Sequence, residues 1–155
     1  MLIADKVPEK RRENFLNPKP IEIRDVDPPD LFNPEPTSDK NFLWFKVDGT
    51  LDTENQWVHH CFLAYASDVS LLGSGNRPHG VSAYSGDVML ASLDHAMWFH
   101  EKINFNEWHL YEMDSPFSGA ARSLNRGKVF SQDGTLVASV TQEGLMRPLK
   151  RRPNT

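Results

Sequence analysis

The hydrophobic pattern of this chain changes period partway along its length. Over residues 56–75 apolar side chains recur at helical spacing: Val58, Cys61, Phe62, Tyr65, Val69 and Leu72 follow at steps of three, one, three, four and three. Such spacing draws one stripe down a 3.6-residue helix. Gly73 is a natural stop, because glycine accepts the left-handed conformation that ends many helices. Asp68 interrupts the stripe. Lying three residues after Tyr65 and four before Leu72, it is expected on the apolar side, where a carboxylate is paired, protonated or used.

Elsewhere the period is two or the run is short. Residues 42–47 (Phe-Leu-Trp-Phe-Lys-Val) are aromatic and β-branched and end in a Asp48-Gly49 turn, which predicts a strand. Residues 76–87 are rich in turn formers and read as a loop. Residues 88–99 form a long run with both faces apolar, the signature of a central strand. Strands are also predicted over 107–113 and 122–130, then a hairpin turn over 132–135 and a last strand over 136–146. In that last strand Leu136, Ala138, Val140, Gln142, Gly144 and Met146 share one face, which is apolar except for the Gln142 amide. The order strand, helix, four strands predicts an α+β domain in which one antiparallel sheet of about five strands wraps one long central helix.

Residues 1–41 have a different texture. Seven of the eleven prolines lie here (Pro8, Pro18, Pro20, Pro28, Pro29, Pro34 and Pro36) among charges of both signs. Proline removes backbone donors and is excluded from helix interiors, so the segment is expected to be extended, irregular and linker-like, with a helical turn or two over residues 9–16. The expected division is thus a linker-like segment over 1–41, a domain over 42–148, and a flexible basic tail over 149–155.

Composition narrows the function classes. The net charge of −4 gives no basic field for nucleic acid or an anionic membrane. Cys61 is the only cysteine, so an intrachain disulfide framework is excluded, and a reducing, intracellular and soluble setting is expected. No run approaches the roughly 20 apolar residues of a membrane span, and the apolar stretch at the N-terminus is too short for a secretory signal.

Candidate chemistry follows from polar residues at apolar positions. His95 and His100 are five apart, on opposite faces of a strand, with no companion cysteines, so no zinc site is expected. Asp94 and His95 are neighbours and point apart, which argues against a simple dyad. A Gly-x-Ser-x-Gly elbow and glycine-rich phosphate loops are both absent. Three groups remain: Asp68 on the helix, Ser92 in the predicted central strand, and Gln142 on the last strand. Two readings of them stand. A carboxylate, a hydroxyl and an amide converging on a dry pocket hold and activate one water molecule; alternatively, they form a satisfied structural network.

These residues also carry a family resemblance. Ala64-Tyr65-Ala66-Ser67-Asp68, Ala91-Ser92-Leu93-Asp94-His95-Ala96-Met97-Trp98-Phe99-His100, Ser115-Pro116-Phe117-Ser118-Gly119-Ala120-Ala121-Arg122 and Val140-Thr141-Gln142-Glu143-Gly144-Leu145-Met146-Arg147 resemble the acyl-CoA thioesterase II family, from about Pro20 to Pro148. The resemblance implies a hotdog fold and hydrolysis of fatty acyl-CoA to free acid and coenzyme A. It implies Asp68, Ser92 and Gln142 as the catalytic residues, serine standing where some members have threonine. No metal or cofactor is implied, coenzyme A being part of the substrate. Family chains carry two hotdog repeats, and this sequence matches the second, with residues 1–41 resembling the connection between repeats. A homo-oligomer, or pairing with another hotdog domain, is therefore expected. So is the alternative of a half-thioesterase that binds a second hotdog subunit or acyl-CoA without turnover. The implied location is peroxisome or cytoplasm, although the chain ends in Pro-Asn-Thr and not in a Ser-Lys-Leu type address.

Overall fold

The computed structural model describes Val7 and residues 9–149. The expected basic tail lies, from residue 150 on, outside the described residues. In chain order the elements are α1 (Glu9–Leu16), β1 (Ile21–Asp25), β2 (Asn41–Val47), α2 (Gln56–Asp68), α3 (Gly73–Asn76), a 3-10 turn (Arg77–His79), β3 (Val88–Ser92), β4 (Ala96–Phe99), β5 (His109–Gly119), β6 (Arg122–Ser131) and β7 (Leu136–Pro148). The seven strands form one antiparallel sheet in the order β1-β2-β5-β6-β7-β3, with β4 also paired to β7. Helix α2 lies against this sheet, and among the described residues no helix is long and apolar enough to cross a membrane.

Local chemistry fixes both ends of α2. The Asn55 side chain accepts from the Trp57 N–H at 3.1 Å and caps the first turn. Gln56 pairs with the backbone of Ile103 like a strand, donating from Nε2 to its carbonyl (3.1 Å) and accepting its N–H at Oε1 (2.9 Å). Buried His59 accepts the Phe105 N–H at Nδ1 (3.0 Å), which leaves Nε2 to donate to the Thr53 carbonyl at 2.9 Å. Both ring nitrogens are satisfied, so this histidine is a neutral structural bridge.

The helix turns a different face inward from the one its periodicity predicts. Its buried residues are His59, Leu63, Ala66 and Ser67. Of the predicted stripe, Phe62 and Val69 pack partly against the core, while Cys61 and Tyr65 are exposed. Small Ala66 and Ser67 allow close approach to the sheet, and bonded His59 enters without a desolvation cost. Trp57 and Tyr65 are left on the outer face.

The sheet also departs from the prediction at its edges. β1 forms in the proline-free interval between Pro20 and Pro28, pairing Ile21 with Val47 and Ile23 with Phe45. The side chain of Arg24 lies over Trp108, 4.5 Å from the ring centroid. Residues 88–99, expected as one buried central strand, divide into β3 and β4, which both pair with β7 and are mostly exposed. With β1, this division brings the strands to seven where about five were expected. In β7 the face Ala138, Val140, Gln142, Gly144 and Met146 is buried as predicted. Val137 is buried too, because a bulge opposite Val129 and Phe130 inserts one residue there.

Tyr111 joins sheet to helix. Its ring occupies the space where Gly127 of β6 would carry a Cβ, and its hydroxyl donates to the Ser67 carbonyl at 2.9 Å. That carbonyl belongs to the last turn of α2, where no intrahelical partner exists. Replacing Gly127 by alanine is expected to displace the ring and lower stability by about 1–3 kcal/mol. Urea unfolding checks this, with Tyr111→Phe costing about 1 kcal/mol as the comparison for the lost bond alone.

His109 is buried, and desolvation holds its imidazole below the ordinary value, while the Glu107 carbonyl and charge act the other way. A histidine depressed in the fold stabilises only while neutral. Its contribution is whole above the unfolded value of about 6.5 and shrinks as pH falls through it. The urea midpoint of the wild-type protein is therefore expected to drop between about pH 7 and pH 5 more steeply than that of His109→Phe.

Candidate active site

Asp68 is the last residue of α2. Val69 leaves helical geometry at φ −70° and ψ 129°, and Ser70 follows in the left-handed region at φ 70°. The chain thus breaks immediately behind the carboxylate and turns into α3. Leu72 packs into the space left by the absent side chain of Gly144 on β7. Asn125 of β6 holds the same region, accepting the Gly75 N–H at 3.1 Å and donating to the Gln142 carbonyl at 3.3 Å.

This geometry brings together the three residues singled out from the sequence. Gln142 Nε2 donates to Asp68 Oδ1 at 2.5 Å, and Ser92 Oγ lies 3.4 Å from the same oxygen, at the outer limit of a hydrogen bond. The three differ in exposure. Gln142 is fully buried, Ser92 is exposed, and the Asp68 side chain is 59% exposed. The cluster is dry on its sheet side and open above, so the prediction that Asp68 sits within a buried stripe is corrected. The carboxylate projects from the margin of the buried face.

One polar atom of this cluster has no protein partner among the described residues. Gln142 Oε1 is buried and finds no hydrogen-bond donor among the described residues. Such an acceptor costs on the order of 1–3 kcal/mol unless something donates to it. It belongs to the same amide that holds Asp68.

His95 was not predicted to meet Asp68, and it does. Residues 93–95 lie between β3 and β4, outside the alternation of a strand. In that break the Asp94 carboxylate turns back to accept the Glu143 N–H at 2.7 Å. His95 turns the other way: Nε2 is 2.8 Å from Ser67 Oγ, and Nδ1 is 3.9 Å from Asp68 Oδ1. Ser67 Oγ also lies 2.8 Å from the Ala64 carbonyl, to which it can donate, so its lone pair can accept from His95 Nε2–H. Below the helix end, burial pushes the Tyr111 phenol far above its ordinary value, and the Asp68 charge pushes it the same way. It therefore stays a neutral donor to the helix. No periodicity marks His95 or Tyr111 as neighbours of Asp68; only the strand break and the helix end do.

Beside the cluster runs an exposed apolar surface. Trp57 (77% exposed) and Tyr65 on the outer face of α2 share it with Phe99 of β4, whereas Trp98 (54% exposed) points to the other face of the sheet, beside Ser139. His60 stacks on Phe99 at 4.3 Å between centroids and ties helix to strand. Isolated exposed apolar residues are ordinary, whereas a group of aromatics on adjoining elements marks a contact surface.

Comparison with known proteins places this arrangement. A family model described as acyl-CoA thioesterase matches residues 14–145. Acyl-CoA thioesterase 2 of Haemophilus influenzae is 33% identical over 145 residues, covering 94% of this chain and 50% of that protein. Human acyl-coenzyme A thioesterase 8 is 36% identical over 129 residues, covering 83% of this chain and 40% of that protein. The chain thus spans half or less of the length of these relatives. Among solved structures, an acyl-CoA thioesterase II of Mycobacterium marinum superposes with a TM-score of 0.72 at 40% identity, covering 88% of this chain and 53% of that one. A hot dog protein of Alicyclobacillus acidocaldarius, 19% identical with a TM-score of 0.65 over 97% of this chain and 54% of that one, shares the fold. The expected hotdog architecture is present, and with a family model that spans most of its length, this chain belongs to the acyl-CoA thioesterase family.

Proposed function

We propose that this chain hydrolyses fatty acyl-CoA to free fatty acid and coenzyme A, with Asp68, Ser92 and Gln142 as the catalytic residues. The observation that carries the reading is the buried Gln142 amide, bonded to Asp68 through Nε2 while Oε1 has no donor among the described residues. A water between the carboxylate and Oε1 donates one O–H to each, which leaves a lone pair for the thioester carbonyl carbon. As the new C–O bond forms, Asp68 takes the proton. Ser92, already beside the same carboxylate, turns its hydroxyl to the developing oxyanion. Collapse of the tetrahedral intermediate breaks the C–S bond, and the proton passes from Asp68 to the departing thiolate. A purely structural network would leave Oε1 satisfied by a protein donor, as His59 is on both nitrogens.

Asp68→Asn is expected to lower kcat by about 10²–10⁴-fold, the range that general base catalysis supplies. Its unfolding midpoint should stay near that of the wild-type chain, because asparagine still offers Gln142 an acceptor and the side chain is mostly solvated. Acyl-CoA turnover by coupled thiol release, beside a thermal melt, checks both. Full turnover by the variant would remove the mechanism.

A second reading has its own support. The aromatic surface of Trp57, Tyr65 and Phe99 adjoins the cluster, and the relatives are about twice as long as the matched segment. We infer that a second hotdog domain covers this surface, in a homo-oligomer or in a pairing with a separate domain. A chain without that cover is a half-thioesterase that binds without turnover. Light scattering on the isolated chain is expected to give an oligomer, and Trp57→Lys to shift it toward monomer with turnover falling in step. A fully active monomer would count against the pairing.

A further inference from the structure

Ser67, His95 and Asp68 stand in line at the end of α2. Ser67 Oγ lies 2.8 Å from His95 Nε2, and His95 Nδ1 lies 3.9 Å from Asp68 Oδ1. A serine, a histidine and an aspartate joined in this order also make up a nucleophilic triad. Here the serine is unfit for that part. Ser67 is fully buried, and its hydroxyl already has the Ala64 carbonyl at 2.8 Å and Met97 Sδ at 3.1 Å. No thioester carbon reaches it. The exposed end of the line is Asp68, so the order of service is reversed: the serine holds the histidine, and the histidine stands against the carboxylate.

The imidazole is fixed from two directions. Its backbone lies in the break between β3 and β4, bracketed by β7, where Ser92 pairs with Gly144 and Ala96 with Thr141. Inside that bracket the Leu93 N–H donates to the Glu143 carbonyl at 2.9 Å, and Asp94 accepts the Glu143 N–H at 2.7 Å. Glu143 follows Gln142, so the histidine and the buried amide are referenced to one point on one strand. The Ser67 contact at Nε2 then stops the ring from turning, and Nδ1 is left beside Oδ1.

Asp68 needs such a neighbour. Its side chain is 59% exposed, and it is the last residue of the helix, where the carbonyl end of the dipole disfavours negative charge. Gln142, Ser92 and His95 all approach Oδ1, and among the described residues no hydrogen bond falls on Oδ2. We propose that His95, tethered by Ser67, is the positioning residue of Asp68: it keeps Oδ1 against the sheet and Oδ2 turned to the attacking water. The proposal rests on the hydrolase reading above.

Asparagine carries its amide where Nδ1 stands, and glutamine carries it where Nε2 stands. The two variants therefore separate the contact with Asp68 from the tether to Ser67. His95→Ala and His95→Gln should each lower kcat by about 10–10²-fold with KM within about twofold, the loss expected of a misplaced reacting group, while His95→Asn stays within about fivefold of wild type. Glutamine at least as active as asparagine, the order that filling space beside Ser67 alone would give, overturns the assignment. A loss confined to KM does so too. Ser67→Ala should keep turnover within about tenfold of wild type; complete loss would make Ser67 the nucleophile and overturns the positioning role. One readout needs no turnover. The Gln142 side-chain amide, bonded to Asp68, gives its own pair of signals in a proton–nitrogen NMR spectrum. These should move in His95→Gln and stay near their wild-type positions in His95→Asn. Signals unmoved in both variants overturn the positioning role. A wild-type chain without acyl-CoA turnover removes the hydrolase reading, and the amide signals then decide the His95–Asp68 contact by themselves.

Discussion

The cluster of Asp68, Ser92 and Gln142 depends on where helix α2 ends, and one contact sets that end against the sheet. Tyr111 lies across β6 because Gly127 offers no Cβ, and its neutral hydroxyl meets the Ser67 carbonyl in the last helical turn. Ser67 in turn faces inward, leaving its neighbour Asp68 at the rim of the buried face. With the helix fixed there, the carboxylate falls over Gln142 of β7 and beside Ser92 of β3. Shifting the helix by a fraction of a turn would separate all three.

A buried amide with one bonded arm and one unpartnered arm is an expensive feature to keep unless a ligand completes it. Here the unpartnered oxygen sits next to a carboxylate that is open to solvent, and an exposed hydroxyl lies on the same side. The surrounding fold divides the approaches to this point. Aromatic side chains on α2 and β4 lie on one side, fit for a second domain. A cavity walled in part by the proline-rich segment, fastened through Arg77 and Ser82, lies behind Ser70.

Several features were legible in the sequence because they depend on near neighbours. The helix start at Asn55, the turn at 132–135, and the inward face of β7 all follow from local chemistry or a period of two, and Gln142 was found as the one polar residue on that face. The spacing of Ala-Tyr-Ala-Ser-Asp and of the later motifs identified the family. The buried face of α2 was misread, because the pattern counts apolar side chains and this helix packs through His59, Ala66 and Ser67 as well as Leu63, with Trp57 and Tyr65 kept for the outside. Residues 88–99 misled for the same reason: an apolar run looks like a central strand whether its cover comes from its own sheet or from a partner.

The sequence by itself determined helix α2, strands β2, β5, β6 and β7 and the identity of the three catalytic candidates, since each rests on a repeat or motif confined to one segment. Only the tertiary structure decided that they meet. Asp68, Ser92 and Gln142 are separated by 24 and 50 residues, and His95 reaches Asp68 through a strand break that no periodicity foretells. The proline-rich segment likewise reads as a linker until Arg77 and Ser82 bond it in place as the wall of a cavity. Contacts between distant segments arise from the packing of whole elements, and the local pattern carries no record of them.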